Sequence, residues 1–354
     1  MRSILIVKTS SIGDVIHTFD VLAYLRSKFP AARIDWVVEK SCAGLVEAHP
    51  QIDQVLQVDT RRWRRGASGS GKEISSFLKK LREEQYDLLI DLQGNSKSAL
   101  ITFLARAQEK VGFEWKSLPE KPNWFALNRR YSAPIEMGVR RRNLHIAQAH
   151  FKDQGCFSSK PVELKTSGSE KIRLEEILSL KALLRPSRLM ICPGSKWKNK
   201  QLTEETLTKL VKKIGENFSL SFIFIWSNPE EKSIADLLAG LFPERSASIG
   251  DLSLNLWQAL MGRISGVVAV DSAALHLCGT SKTPSFSIFG PSSSDYYKPE
   301  GERHASFQGS CPYGRTFSKR CPILRTCPTG ACIRTLSADA LYSSFSLWWK
   351  SIGN

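Results

Sequence analysis

The feature that most constrains this chain is a repeated alternation of short, nearly unbroken apolar runs with turns and amphipathic segments. A run of Ile, Leu and Val without polar alternation buries both faces of a strand, as happens in parallel sheets covered by helices on both sides. Ser3–Lys8 reads as such a strand and Ser10–Asp14 as a turn. Val15–Lys28 reads as one helix, with Val15, Phe19, Val21, Leu22 and Leu25 at helical spacing. Ile34–Glu39, Gln54–Val58 and Leu88–Leu92 read as further strands, the last after a helix Glu73–Glu84. Strand, helix, strand repeated predicts a parallel sheet with right-handed crossovers. Ser158-Ser159-Lys160-Pro161 reads as a linker, after which the alternation begins again. Leu189–Cys192, Leu220–Trp226, Val267–Val270 and Pro284–Phe289 are its strands, and Glu204–Lys213 a helix.

At 354 residues the chain exceeds what one core comfortably holds, so two α/β, doubly wound domains are expected, 1–160 and 161–354. Such a pair faces a cleft lined by the carboxyl ends of strands, where open α/β sheets take ligands. Hydrophobic residues at 42% and charged residues at 24% exclude a disordered chain. No apolar window is long enough for a membrane-spanning helix, and the amino terminus lacks a secretory pattern, so a cytoplasmic protein with reduced thiols is expected. The formal net charge is +16, with excesses of 9 in residues 1–165 and 7 in residues 166–354. Both halves therefore suit anionic partners.

Lys8-Thr9-Ser10-Ser11-Ile12-Gly13-Asp14 joins the first strand to the first helix. Gly13 allows close approach of a ligand to the backbone, and the first turn offers unpaired N–H groups. Ser11 and Asp14 either cap the helix, or Asp14 faces the cleft as a general base. The string Lys8–Thr18 resembles the amino-terminal motif of the heptosyltransferase I branch of the lipopolysaccharide heptosyltransferases, glycosyltransferase family 9. The likeness continues at Asp35–Glu39, Arg61–Arg64, Asp91–Ser98, Val270–His276 and Phe289–Pro291, and covers most of residues 1–295.

Arg61, Arg62, Arg64 and Arg65 crowd around Trp63. They are either a solvated loop or a site for phosphate and carboxylate groups, which planar guanidinium forks suit. The resemblance implies the second, with Ser11, Arg61, Arg62, Arg64, Lys97 and Arg142 meeting a Kdo-lipid A acceptor and Arg140 and Arg141 adding to the basic face. Trp63 is then placed to dip into the membrane interface. Gly66–Glu73 imitates a phosphate-binding loop, but Glu73 stands where a hydroxyl would hold magnesium, so a flexible acceptor loop is expected.

In the second half, Pro193-Gly194-Ser195-Lys196 follows a strand and suits phosphate through N–H groups and the Ser195 hydroxyl. The resemblance implies that Lys200 meets the donor diphosphate, with Lys196 and Lys198 as alternatives. It implies that Glu231 holds the nucleotide ribose, and that Asp271, Ser272, Ala273 and His276 complete the donor site with Gly13. Cys311, Cys321, Cys327 and Cys332 are spaced ten, six and five apart, unlike the paired cysteines of a zinc ribbon. Whether they hold metal or pair stays open.

The expectation is a GT-B glycosyltransferase: two Rossmann-like domains, acceptor in the first and nucleotide sugar in the second. The last helix, Ala338–Ile352, is expected to pack back on the first domain. The resemblance implies inverting transfer of heptose from ADP-heptose to the Kdo region, with Asp14 as base and neither cofactor nor metal. It also implies peripheral attachment to the anionic cytoplasmic face of the inner membrane. The rivals are a heptosyltransferase acting later in the core, and a non-catalytic nucleotide- or polyanion-binding protein. Nucleic acid is not expected, because the chain lacks the repeatedly aromatic-interleaved basic patches of nucleic-acid readers.

Overall fold

The computed structural model describes residues 1–134 and 136–353. It divides into two compact units, Met1–Lys160 and Pro161–Asn354. The first holds β1 (Ser3–Val7), β2 (Arg33–Glu39), β3 (Gln54–Val58), β4 (Tyr86–Asp91), β5 (Ala107–Phe113) and β6 (Arg129–Tyr131). They form one parallel sheet in the order β3-β2-β1-β4-β5-β6. The second holds β7 (Arg188–Cys192), β8 (Ser221–Ile225), β9 (Ser246–Ile249), β10 (Gly266–Val270), β11 (Ser285–Phe289) and β12 (His304–Gln308). Its order, β12-β11-β10-β7-β8-β9, is the first sheet's order repeated, again all parallel. This is the dinucleotide-fold order, in which the crossovers change direction beside the first strand of each sheet. The two sheets are the Rossmann-like pair of the GT-B architecture.

The apolar runs behave as their composition requires. All five residues of β1, β8, β10 and β11 are buried. Helix Glu204–Asn217 presents Leu207, Leu210, Val211 and Ile214 to the second core, the one-face spacing of a surface helix. Thr203 caps it by accepting the Thr206 N–H at 3.2 Å.

Two expectations are corrected. Val15–Lys28 is two helices, Ile12–Ile16 and Phe19–Lys28, because the Thr18 hydroxyl bonds back to the Asp14 carbonyl at 3.1 Å where the chain turns. The Gly/Ser segment is not a loose loop. Ser70–Lys72 begin the helix Ser70–Glu83, and Arg62 Nη2 donates to the Ser68 carbonyl at 2.7 Å. Helix Ala338–Ser351 buries Leu341, Phe345, Trp348 and Trp349 in the core of the second unit. Gly266 at the start of β10 accommodates it, since a Cβ there would stand 2.8 Å from the Trp349 ring and 3.0 Å from Trp348. Truncating either Trp to Ala would cost about 3–5 kcal/mol.

Candidate functional site

In the first unit the predicted residues gather at the carboxyl edge of the sheet, where β1 and β4 separate the two crossover directions. The buried Asp91 carboxylate at the end of β4 accepts the Gln93 and Gly94 N–H groups, the Thr102 hydroxyl and the Asn123 amide. That fixes Gln93, whose Oε1 accepts the Thr9 and Ser10 N–H groups at 3.0 and 3.1 Å. Lys8 is buried beneath this turn and donates to the Leu92 carbonyl at 2.8 Å. Burial pushes its ammonium below the ordinary value, against the pull of the Asp14 and Asp91 carboxylates, and Arg142 adds to the fall. Asp14 is half-buried, and its Oδ2 accepts the Ser11 N–H at 3.0 Å and the Ser11 hydroxyl at 2.8 Å. Asp14 is therefore a helix cap in this structure, and the carboxylate is oriented by Ser11. Gly13 lies between them in the first helical turn.

The basic side chains divide. Arg61 and Arg64 are exposed on the short helix Thr60–Arg64 at the end of β3. Lys97 reaches the same place from the end of β4, donating to the Thr60 hydroxyl at 3.0 Å, and that hydroxyl is held in turn by Glu39 at the end of β2. Arg62 is paired with Glu73 at 3.2 Å. Trp63 is half-buried: its indole N–H donates to Glu73 at 3.1 Å and its ring lies 5.7 Å from Phe77. Arg142 donates to the Ser117 carbonyl at 2.6 Å and stands over the Phe113 ring. Arg140 departs from the expected basic face, because it is buried beside Asp20 at 3.8 Å.

In the second unit the same sheet position is occupied by the ends of β7 and β10. The Ser195 hydroxyl, after β7, donates to the Asp271 carbonyl, after β10, at 3.4 Å. Lys200 Nζ lies 2.5 Å from Asp271 Oδ2, and His276 Nε2 lies 3.4 Å from Oδ1. Burial alone would raise the Asp271 carboxyl, but the His276 hydrogen bond and the Lys200 charge hold it well below the usual carboxylate range. Lys196 is exposed, with its ammonium over the Trp197 ring, and Lys198 meets Glu230 on the surface at 3.5 Å. Of the three lysines, Lys200 is the one directed at the strand-end carboxylate. Ser272 starts the helix Ala273–Cys278, and its hydroxyl, like that of Ser292 after β11, is buried without a protein partner among the described residues.

Glu231 sits in the first turn of helix Pro229–Gly240, after β8, and accepts the Ser227 N–H at 2.8 Å and hydroxyl at 2.7 Å. It presses on Gly194, where a Cβ would stand 2.2 Å from Glu231 Oε1. Both line an open recess of about 480 Å³ with Cys192, Gln201 and Ile234. Gln93, which orders the Thr9–Ser10 turn, lies inside the Asp91–Ser98 motif without a role read for it there, and Tyr297 escapes the sequence reading altogether. The latter's hydroxyl accepts from Arg320 at 3.1 Å, and its ring lies 6.4 Å from His276. Burial pushes the Tyr297 phenol up to about 12 despite Arg320, with Asp271 adding to the rise. No local pattern marks Tyr297.

Similarity to known proteins agrees with this geometry. The family model of glycosyltransferase family 9 (heptosyltransferase) matches residues 74–326. Lipopolysaccharide heptosyltransferase 1 of Pseudomonas aeruginosa is 29% identical over 324 residues, 90% of this chain and 87% of that protein. Its counterpart in Escherichia coli K12 is 28% identical over 291 residues, 81% of this chain and 88% of that protein. The solved E. coli heptosyltransferase WaaC with ADP superposes with a TM-score of 0.77 at 23% identity, covering 98% of this chain and 99% of that one. With a family match that covers more than half of the chain, from β4 of the first sheet through the whole of the second, the chain belongs to glycosyltransferase family 9, the heptosyltransferases.

Proposed function

We propose that the protein is an inverting glycosyltransferase that moves L-glycero-D-manno-heptose from ADP-heptose to the Kdo region of the lipopolysaccharide inner core. The observation that carries this reading is the placement of two charged groups at equivalent strand ends. Asp14 holds that position in the first sheet, and the Lys200–Asp271–His276 cluster holds it in the second. In this reading the first unit binds acceptor and the second binds donor. The relatives named above, both heptosyltransferase 1, favour the first heptose over a later one.

Asp14, steadied by Ser11, takes the proton of the acceptor hydroxyl as its oxygen attacks the anomeric carbon. The bond from that carbon to the ADP oxygen breaks on the opposite face, so the configuration inverts. The departing diphosphate gains negative charge. Lys200, the Ser195 and Ser272 hydroxyls and the amides of Ser272 and Ala273 answer it, in a site where burial strengthens each interaction. Lys200 does so by sharing its charge between Asp271 and the diphosphate, while His276 keeps Asp271 in place. Glu231 accepts from the ribose hydroxyls, and Gly13 leaves room for the donor beside Asp14. Arg61, Arg64, Lys97 and Arg142 meet the acceptor's phosphates and carboxylates, and Arg62 serves mainly to hold their loop. Among the described residues no helix is long and apolar enough to cross a membrane. Attachment to the anionic cytoplasmic leaflet is then peripheral, through exposed Arg61, Arg64, Arg65 and Arg141 at about 1 kcal/mol each.

Purified protein is incubated with ADP-heptose and either Kdo-lipid A or the same acceptor already carrying one heptose. ADP release and a heptosylated product with the first acceptor are expected. Turnover with the second acceptor alone would move the enzyme to a later step, and nucleotide binding without turnover on either would overturn the catalytic reading.

A further inference from the structure

The carboxy-terminal part of the second unit contains a group of side chains that heptose transfer does not use. Cys311, Cys321, Cys327 and Cys332 come from a segment with little regular structure, yet all four line one cavity of about 380 Å³, counted to its mouth. All four are free thiols, and each of the other three lies close enough for its charge to bear on Cys332. The rest of the wall is largely apolar, with Phe317, Ile323, Leu324 and Ala331 around the sulfurs. Arg315 also lines it and acts on Cys327.

Four-thiol sets select zinc, copper(I) or iron–sulfur centres. A single ion needs its ligands drawn to one point, about 2.3 Å from each sulfur for zinc. Among the described residues no group of three or more His, Cys, Asp or Glu side chains is set to hold one ion. These thiols instead surround a volume. Their order, with nine, five and four residues between successive cysteines, also lacks the close pairs of a zinc knuckle. The backbone around them is built to receive sulfur ligands. Gly330, with φ +58°, points its N–H at Cys327 Sγ at 3.4 Å, and the Thr329 hydroxyl lies 3.8 Å from the same sulfur. Hydrogen bonds of this kind tune thiolate ligands.

We propose that Cys311, Cys321, Cys327 and Cys332 bind a four-iron, four-sulfide cluster that pins this segment to the rest of the second unit. Each thiol gives up its proton on ligation, and Arg315 offsets part of the negative charge of the ligated cluster. The cluster needs no change of oxidation state to play this part. What it fixes is visible nearby. Asn199, one residue before Lys200, donates to the Leu324 and Cys327 carbonyls at 2.9 and 2.8 Å. Arg325 lies 4.8 Å from the Trp197 ring, and Arg320, next to Cys321, reaches Tyr297.

The test reads metal rather than sugar transfer, so it stands apart from the reaction proposed above. The full chain is purified without oxygen and, in parallel, reconstituted with equal ferrous and ferric iron and sulfide. About four iron and four acid-labile sulfide per chain are expected, with broad visible absorption that dithionite bleaches. The double variant Cys311→Ala/Cys327→Ala removes the two less buried thiols, and should lose iron and sulfide while its far-ultraviolet dichroism stays that of the parent. One zinc per chain on the four thiols, or four thiols still open to alkylation after reconstitution, would overturn the proposal. Undiminished iron and sulfide in the double variant would do the same.

Discussion

Lys200 and Asp271 are joined by a 2.5 Å ion pair between residues 71 positions apart, and His276 closes the other side of the carboxylate at 3.4 Å. The pair links the turn after β7 to the turn after β10, which places one cation and one anion at the edge of the second sheet. Removing one member of a buried pair leaves the other charge uncompensated, which is worse than never having had the pair.

Asp271→Asn should therefore destabilise the protein by about 3 kcal/mol at neutral pH, and the pH dependence identifies the cause. The folded carboxyl is depressed below its ordinary value. Its stabilisation is fully present above the unfolded carboxylate value, about 4, and fades as pH falls toward the lower folded value. Denaturant melts of both proteins should thus converge below about pH 4. A gap that stays constant down to the acid transition would remove the ion pair from the explanation.

Asp14→Asn should lower turnover by roughly 10²–10⁴ and leave ADP-heptose affinity unchanged. Asparagine at this third helical position keeps a side-chain oxygen that can accept the Ser11 N–H, so the first turn should survive and the loss should fall on kcat. Near-normal turnover would return Asp14 to the capping role that its contacts with Ser11 already show.

The arginines should separate into two classes. Arg61→Ala with Arg64→Ala should raise KM for acceptor without changing donor affinity, and high salt should do the same to the parent, because exposed charges are screened. Arg140→Ala should instead lower the melting temperature, since it removes a buried side chain and leaves half-buried Asp20 without its guanidinium neighbour. Equal loss of both substrates' affinity in the first variant would assign those arginines to folding.

The apolar strands were legible because burial on both faces leaves no room for polar residues. Gln54–Val58 was located to the residue, and β1, β7, β10 and β11 to within one at either end. β5, β6, β9 and β12 escaped notice for the complementary reason. They stand at or beside the sheet edges, carry Gln108, Glu109, Lys110, Arg129, Arg130, Ser246, His304 and Gln308, and several of these residues keep contact with solvent. The site was legible wherever chemistry sits in one stretch of chain, as at Ser11–Asp14 or Asp271–His276. It was not legible where the meaning lies in a distant partner. Arg62 looks like its neighbours until Glu73 is placed beside it, and Lys200 like Lys196 and Lys198 until Asp271 is.

Gly194 provides a test of the nucleotide site that touches no proposed ligand directly. Its Cα faces the Glu231 carboxylate so closely that an alanine Cβ would stand 2.2 Å from Oε1 and 2.4 Å from Cδ. The side chain rather than the backbone must give way, because Glu231 is flexible beyond its hydrogen bonds to Ser227. Gly194→Ala should thus swing the carboxylate off its position and weaken ADP binding. Hydrogen bonds to a charged acceptor are worth about 1.5–3 kcal/mol, so the loss should be on the order of tenfold to a hundredfold. Glu231→Ala should lose a similar amount. In the double variant the second change should add little, because both act through one group. Calorimetric titration of ADP into the four proteins completes the cycle. Additive losses would mean that Gly194 and Glu231 contact the nucleotide independently, and normal affinity in Glu231→Ala would take Glu231 out of the ribose site.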